Sequence, residues 1–431
     1  MAANQFQYFV VLNVIIVKRI ENNNSVQMKK LIQFTTALFC VICLISCNNQ
    51  VKKAAENTKA EDNETIITYD RPSTEELHAY KAYHHTRYMV ETAKQAGGTN
   101  KLLHTKKLPT EGSDPVVTPA LDHLYSKAVI DLTEGPVTVE FPKGFAKDRY
   151  WSIHVTDQEH YTIFDEIRPV GKYTFVRQGK KMEVPGGSTK ILCPGDYPHL
   201  FIRIQVKSDD DMKNTLASQE KIILSGESKD FIVPETEYVK HVIETHDIYI
   251  PNNGMLKKAK DFTIDDYNRV TAYLFKVAPT FPSNMGMFGP ITSDEEHSND
   301  PVYRAAAIFG HLGLPAKHAI YFPNFVNCQG EVLNGDRKEV FTFDYTPDGV
   351  EEFWSITRYS ALTRNTIPDK NDVFNAYNTK PDENGNITIT FSSEDPKDET
   401  YWMPVVKGEP YYFVVRYYKA DLENLPKTHC E

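Results

Sequence analysis

Cysteine is scarce in this chain of 431 residues, which has only six. Cys40 and Cys43 stand in an apolar amino-terminal run, and Cys47 ends it. Cys193, Cys328 and Cys430 are too far apart to form any Cys-x-x-Cys pair, which excludes a zinc site of the cysteine type. They read as free buried thiols; one disulfide is permitted in an exported protein, but the sequence does not choose the pair. Long apolar runs are missing after position 47, so the body of the chain is not a bundle of membrane helices. Basic charge is also short: 48 Lys and Arg stand against 58 Asp and Glu, a formal net charge of −10. Residues 1–47 hold Lys18, Arg19, Lys29 and Lys30 against Glu21, so the remainder is more acidic still. Scattered cations in an acidic chain give no electrostatic footprint for nucleic acid. No Gly-x-Ser-x-Gly elbow, His-Glu-x-x-His helix or phosphate loop occurs. Asp382–Asn386 superficially resembles a calcium loop, but Gly385 is at the fourth place and no Glu is at the twelfth. Asp209-Asp210-Asp211 reads as a solvated helix cap ahead of Met212, Leu216, Ile222 and Ile223. Neither a metal nor a cofactor is implied.

Aromatics, in contrast, are plentiful, with 24 Tyr and 23 Phe, and they mark a repeat. Tyr150-Trp151-Ser152-Ile153 returns as Phe353-Trp354-Ser355-Ile356. Aromatic strands precede both, at Val137–Phe141 and Val340–Phe343, and Thr-Ile pairs follow both, Thr162-Ile163 and Thr366-Ile367. Further on, Phe201–Asp209 is matched by Phe413–Asp421, and Arg203 and Arg416 are read as equivalent. An ordered series of matches at nearly constant offset predicts one β unit used twice.

The amino terminus reads as an export signal. Met28-Lys29-Lys30 is a basic start, Leu31–Ile45 a mostly apolar run too short for a comfortable span, and Leu44-Ile45-Ser46-Cys47 resembles the bacterial lipobox. That resemblance implies cleavage before Cys47 and anchoring by acyl chains, each buried CH₂ contributing roughly 0.8 kcal/mol. Residues 1–27, with the apolar patch Phe9–Val17, read as an upstream extension, 28–47 as signal peptide and 48–70 as a polar tether.

Ser73-Thr74-Glu75-Glu76 predicts a helix start, running to about Ala96 before Gly97-Gly98. Leu124–Leu132, Val137–Phe141, Tyr150–Asp157, Tyr173–Arg177, Lys190–Cys193 and Leu200–Val206 read as a meander of short strands. Thr263-Ile264-Asp265-Asp266 and Asn299-Asp300-Pro301 predict two more helices. Asn384-Gly385 before the alternating Ile387–Phe391 is the cleanest hairpin signal. The expected organisation is a helix plus first β domain over 71–240, a helical connector over 241–317 and a second β domain over 318–431.

Several of these stretches carry a family resemblance. Asp122-His123-Leu124-Tyr125-Ser126, Val129-Ile130-Asp131-Leu132, Gly135-Pro136 and Arg149-Tyr150 resemble the family called domain of unknown function 1254. Gly330-Glu331-Val332-Leu333-Asn334-Gly335, Phe353–Thr357, Tyr401-Trp402-Met403-Pro404 and Val415–Tyr418 resemble domain of unknown function 1214. The resemblance implies a tandem, often exported, bacterial protein, mainly β with flanking helices, built as two jelly-roll-like β-sandwich domains. It implies no reaction.

Candidate polar residues are therefore taken from the chain itself. His84, His85, His104, His123, His154, His160, His241 and His246 are each read as surface or satisfied core histidines. In Tyr150–Thr156, Trp151, Ile153 and Val155 face the core while Ser152, His154 and Thr156 face away. Arg203 alternates with a face of Leu200, Ile202, Ile204 and Val206; Arg416 alternates with Tyr411, Phe413, Val415 and Tyr417; Arg358 shares the face of Trp354 and Ile356. An Arg fork among aromatics holds a carboxylate or phosphate, or serves the fold through an internal ion pair. The duplication of Arg203 and Arg416 favours a fold role. The expectation is a noncatalytic binding or structural lipoprotein of the cell envelope, touching a membrane through its lipid at Cys47, with a small molecule or glycan as ligand and homo-oligomerisation open. The alternative is a hydrolase or other enzyme around Asp122, His123, Tyr125, Arg358 and Asn365.

Overall fold

Ser73 opens the first helix, α1 (Thr74–Ala96), through a reciprocal cap. Its hydroxyl accepts from the Glu76 N–H at 3.2 Å, and the Glu76 carboxylate accepts from the Ser73 N–H at 2.8 Å. Gly97, at φ 79°, takes the left-handed turn that ends the helix. The protein is described from a computed structural model, which covers residues 71–109, 117–157, 160–230, 262–281, 283–284, 287–289, 300–310, 312–367, 372–426 and 429–430. Cys47 and the pair His241 and His246 lie outside the described residues. All elements below belong to one compact unit, residues 72–329 with 333–431.

After α1 come β1 (Leu103–His104), β2 (His123–Val129), β3 (Val137–Phe141), β4 (Trp151–Thr156), β5 (Thr162–Ile167), β6 (Gly171–Arg177), β7 (Ser188–Cys193) and β8 (His199–Gln205). Helix α2 (Met212–Gln219) and β9 (Ile223–Ser225) close the first repeat; α3 (Ile264–Val277) and α4 (Pro301–Gly310) follow. The second repeat holds β10 (Ala319–Asn324), β11 (Glu339–Asp344), β12 (Val350–Ser360), β13 (Val373–Asn375), β14 (Asn386–Ser392), β15 (Tyr401–Pro404), β16 (Tyr411–Ala420) and β17 (His429–Cys430). The chain is thus mostly β with few helices, and none of its described helices is long and apolar enough to cross a membrane.

Each repeat is two sheets facing across a shared core. The first has orders β1-β2-β8-β4-β5 and β7-β6-β3-β9; the second has β10-β16-β12-β13 and β15-β14-β11-β17. Ile153, Leu200 and Ile202 meet Val139, Phe175 and Ile191 in one core; Ile356, Phe413 and Val415 meet Phe341, Ile389 and Phe391 in the other. Among the described residues a single ladder in each repeat is parallel, β6 with β7 and β14 with β15. The register makes the duplication specific. Trp151 pairs with Ile204 and Ser152 with Arg203; Trp354 pairs with Tyr417 and Ser355 with Arg416. Trp151 packs against Phe141 and Phe145 at 4.8 and 4.3 Å, and Trp354 donates its indole N–H to the Tyr345 carbonyl at 2.8 Å. Truncating a core aromatic of this kind to Ala costs about 3–5 kcal/mol.

Four local expectations are corrected. The Thr-Ile echo is not structural, because Thr162 and Ile163 lie in β5 whereas Thr366 and Ile367 lie in the loop before β13. The strands are not a simple meander: β4 and β5 pair in sequence, but the chain crosses between the facing sheets from β2 to β3, β3 to β4, β5 to β6 and β7 to β8. Asn384-Gly385 turns the chain into β14, but no hairpin results: β13 pairs with β12, and β14 pairs with β11 and β15. Cys328 is disulfide-bonded rather than free; Cys193 is a free buried thiol, its pKa pushed up to about 12 by burial.

The outward faces of β2, β8, β4, β12 and β16 are where alternation misleads. Their polar residues alternate with the core residues, yet nearly every residue on both faces is buried. The reason is packing: Tyr150 of the first repeat meets Ala319, Phe353 and Tyr418 of the second, and Tyr88 of α1 packs with Tyr125 of β2 and Phe201 of β8. A polar sheet face that a solvated sandwich would show to water is here an interior surface.

Candidate functional site

Between these faces lies a cavity of about 210 Å³. The strand β2 brings His123, Tyr125 and Lys127 to its wall, β8 brings Phe201 and Arg203, and β16 brings Tyr412, Val414, Arg416 and Tyr418. The period of two along each strand explains why these residues, and not their neighbours, arrive there. Phe281, Met287, Phe288 and Phe309, from the α3–α4 region, supply an apolar side.

The two arginines reach the site from equivalent positions but are held differently. Arg416 donates to the Thr357 hydroxyl at 3.1 Å, the Tyr359 hydroxyl at 2.9 Å and the Thr118 carbonyl at 3.0 Å. Arg203 donates from Nη2 to the Leu312 carbonyl and lies 4.5 Å from the Phe201 ring centre. Its Nη1 is buried with no hydrogen-bond partner among the described residues. Tyr321 sits within reach of both charges: burial raises its pKa while Arg203 and Arg416 pull it the other way.

Asp122, in the loop entering β2, is 1 % exposed. Its Oδ1 lies 2.7 Å from His123 Nδ1, and His123 Nε2 has no partner among the described residues. Burial pushes the Asp122 carboxyl upward, but the adjacent His123, and then Arg416, outweigh it and hold it below its ordinary value. His123 is walled by Tyr150, Tyr418 and Phe353 at ring distances of 5.6, 5.4 and 5.8 Å.

Asp122, His123, Tyr125, Arg203 and Arg416 therefore converge. Arg358 and Asn365 do not. Arg358 turns to the other face of β12, donates to the Asp372 carboxylate at 2.5 Å and the Ile367 carbonyl at 2.8 Å, and serves the second repeat. Asn365 shapes a turn, accepting the Thr366 N–H at 2.9 Å and, on its carbonyl, the Ser360 N–H at 2.9 Å. The neighbouring Arg364 is the residue the sequence reading passed over. It lies 4.7, 5.0 and 5.3 Å from the ring centres of Phe275, Phe325 and Tyr412 and donates to the Phe275 carbonyl at 3.0 Å. Burial pulls its pKa down, with Tyr412 opposing. Nothing in a Thr-Arg-Asn-Thr loop signals this. Asn284 was missed likewise: it clamps the wall by donating to the Leu314 and Ala319 carbonyls at 3.0 and 2.9 Å and accepting from the Tyr321 N–H at 2.9 Å. No group of three or more His, Cys, Asp or Glu suited to a metal occurs among the described residues.

Two family models match in tandem. The one described as Protein of unknown function (DUF1254) covers residues 99–225, and DUF1214 covers residues 318–422. The fold is shared with the VPA0106 protein from Vibrio parahaemolyticus, 20% identical with a TM-score of 0.60 over 83% of this chain and 98% of that one. A protein from Burkholderia cenocepacia is a weaker likeness, 14% identical with a TM-score of 0.44 over 82% of this chain and 87% of that one. No curated protein matches the chain. The cavity thus lies between two segments that the family models match separately, and the chain belongs to the family in which DUF1254 and DUF1214 stand in tandem.

Proposed function

We propose that this protein binds a small organic molecule in the cavity between its two repeats, as a lipoprotein of the bacterial cell envelope held to a membrane by acyl chains on Cys47. The observation that carries the binding reading is unmet hydrogen-bonding capacity at a buried wall: Nη1 of Arg203 and Nε2 of His123. Leaving such a group unsatisfied costs about 1–3 kcal/mol, and more when it is charged. A ligand supplying the missing acceptor offsets that cost, and an apolar wall with few convergent polar groups is the usual form of a ligand site. The facing sheets of each repeat support a jelly-roll-like plan, with the ligand between the two domains rather than inside either. Leu44-Ile45-Ser46-Cys47 supports the anchor. Native mass spectrometry of the protein purified from cells tests binding. A retained small molecule is expected, and Ala306→Trp, which fills the cavity, should lose it. A ligand-free wild type that no metabolite pool stabilises against heat would overturn the reading.

An enzyme is the second reading, favoured by the carboxylate of Asp122 set 2.7 Å from a His123 ring that borders the cavity. A base oriented by a carboxylate is a common proton-transfer arrangement. Turnover of a retained ligand by wild type, lost in His123→Gln with ligand still bound, would promote this reading over simple binding.

A further inference from the structure

Among its described residues the wall of the cavity bears four cationic side chains, Lys127, Arg203, Arg364 and Arg416, and neither Asp nor Glu. All four are more than nine-tenths buried. Water does not screen charges so placed, and a buried cation demands a counter-charge or a full set of acceptors. The acceptors in place are mostly neutral. Arg364 has ring faces and one carbonyl. Arg416 has two hydroxyls and one carbonyl. Arg203 has one carbonyl and one ring. Among the described residues none of these three arginines is in a salt bridge. One carboxylate, Asp122, stands behind the wall, and it is already engaged with His123 and within the field of Arg416. Among the described residues these three arginines are therefore short of negative charge, and Nη1 of Arg203 and Nε of Arg364 are buried with no acceptor.

We infer that the cavity takes an organic monocarboxylate, its carboxylate accepting from Nη1 of Arg203 and its apolar body lying on Phe281, Met287, Phe288 and Phe309. This rests on the reading of the cavity as a ligand site. The donor supply selects the acid. With Nη2 of Arg203 spent on Leu312 and the Arg416 nitrogens on Thr118, Thr357 and Tyr359, the donors left without a partner among the described residues are Nη1 of Arg203 and Nε of Arg364, and Arg364 is wedged among the rings of Phe275, Phe325 and Tyr412, so the two hydrogens on Nη1 of Arg203 are the ones offered to a small anion. A phosphate brings more oxygens and more charge than Nη1 of Arg203 satisfies, and a second polar end would meet the aromatic side.

Calorimetric titration of the full chain at neutral pH tests this with four probes: benzoate, hexanoate, benzamide and inorganic phosphate. Binding of at least one carboxylate is expected, with benzamide and phosphate weaker by tenfold or more. Arg203→Met should weaken the carboxylate by roughly ten- to a hundredfold, the loss of one hydrogen bond to a charged group. Arg203→Lys, which keeps charge and stem and so guards against misfolding, should fall between the two. Benzamide binding as tightly as benzoate, or a carboxylate indifferent to both Arg203 variants, overturns the monocarboxylate while leaving a ligand cavity. Phosphate preferred over both acids overturns it in favour of an inorganic anion site. No binding by any of the four overturns it outright, and the native-mass experiment then decides the cavity separately.

Discussion

Arg203 and Arg416 occupy one position in two repeats, each paired across an antiparallel ladder with a serine that follows a tryptophan. Shared ancestry of position has not given them a shared role. Arg416 ties Thr357, Tyr359 and the Thr118 carbonyl together, so it braces β16, β12 and the loop leading to β2. Arg203 makes one such bond and leaves Nη1 without a partner among the described residues. Arg416→Ala should therefore destabilise by about 2–4 kcal/mol, because buried partners are stranded. Arg203→Met, keeping most of the stem, should stay within about 1 kcal/mol of wild type. Urea unfolding of the two variants measures this; equal losses would mean that both arginines are braces.

Acid should unfold this protein early. His154, His160 and His199 are wholly buried, and burial lowers the pKa of each well below the ordinary 6.5. His160 Nε2 lies 2.8 Å from His85 Nδ1, a bond that needs at least one neutral ring. Arg203 bears on His154 and His199, Lys127 on His199 and Arg304 on His160, all disfavouring a further positive charge; Asp165 opposes at His154. Above pH 6.5 these rings are neutral in both states and cost nothing. As pH falls below that value the unfolded chain takes protons that the folded chain refuses. Stability should then drop by up to about 1.4 kcal/mol per pH unit for each ring. Melting temperatures from pH 7 down to pH 5 should fall steeply, and His154→Gln should flatten the slope. A profile flat to pH 5 would show that these histidines charge in place.

The repeat was legible because it is written in large residues with fixed register: Trp151 and Trp354, Arg203 and Arg416. The helix start at Ser73 was legible because a cap is a local device. The match along the strand was off by one residue, since aligning Arg203 with Arg416 sets Phe201 beside Val414 rather than Phe413. The site was half legible. Asp122, His123, Tyr125, Arg203 and Arg416 were nominated and converge, but Arg358 was grouped with them although strand alternation sends it to the opposite face from Arg416's neighbours Thr357 and Tyr359. Arg364, Asn284 and the aromatic side from Phe281 to Phe309 come from loops and helices whose placement depends on how one repeat seats on the other, and no local period encodes that.

Cys47→Ala should move the protein from the membrane to the soluble fraction. The basic start at Met28-Lys29-Lys30, the apolar Leu31–Ile45 and Leu44-Ile45-Ser46-Cys47 motivate this. On the proposed reading acyl chains would supply the affinity, and no described helix is long and apolar enough to cross a membrane. Fractionation with mass analysis of the mature amino terminus checks it: an unlipidated terminus, or a variant still bound to membrane, would sink the idea.

Gly313 and Phe288 give a test of the cavity that leaves every charge in place. Both lie on its wall. A Cβ added at Gly313 would stand 2.2 and 2.3 Å from Cε2 and Cζ of Phe288, closer than any side chain tolerates. The Phe288 ring is 5 % exposed, so it has no route to solvent and must move within the wall, where the cavity is the open space. Overpacking of this kind costs about 1–3 kcal/mol. Gly313→Ala should lower the melting temperature and abolish ligand retention, although it touches no polar group. Phe288→Ala should be destabilising alone through the void it opens. The double variant should be more stable than the two single losses predict, because each change relieves the other, and it should bind again. Thermal melts and ligand titration across the four proteins decide it: strict additivity with binding unaffected in Gly313→Ala would place the ligand elsewhere.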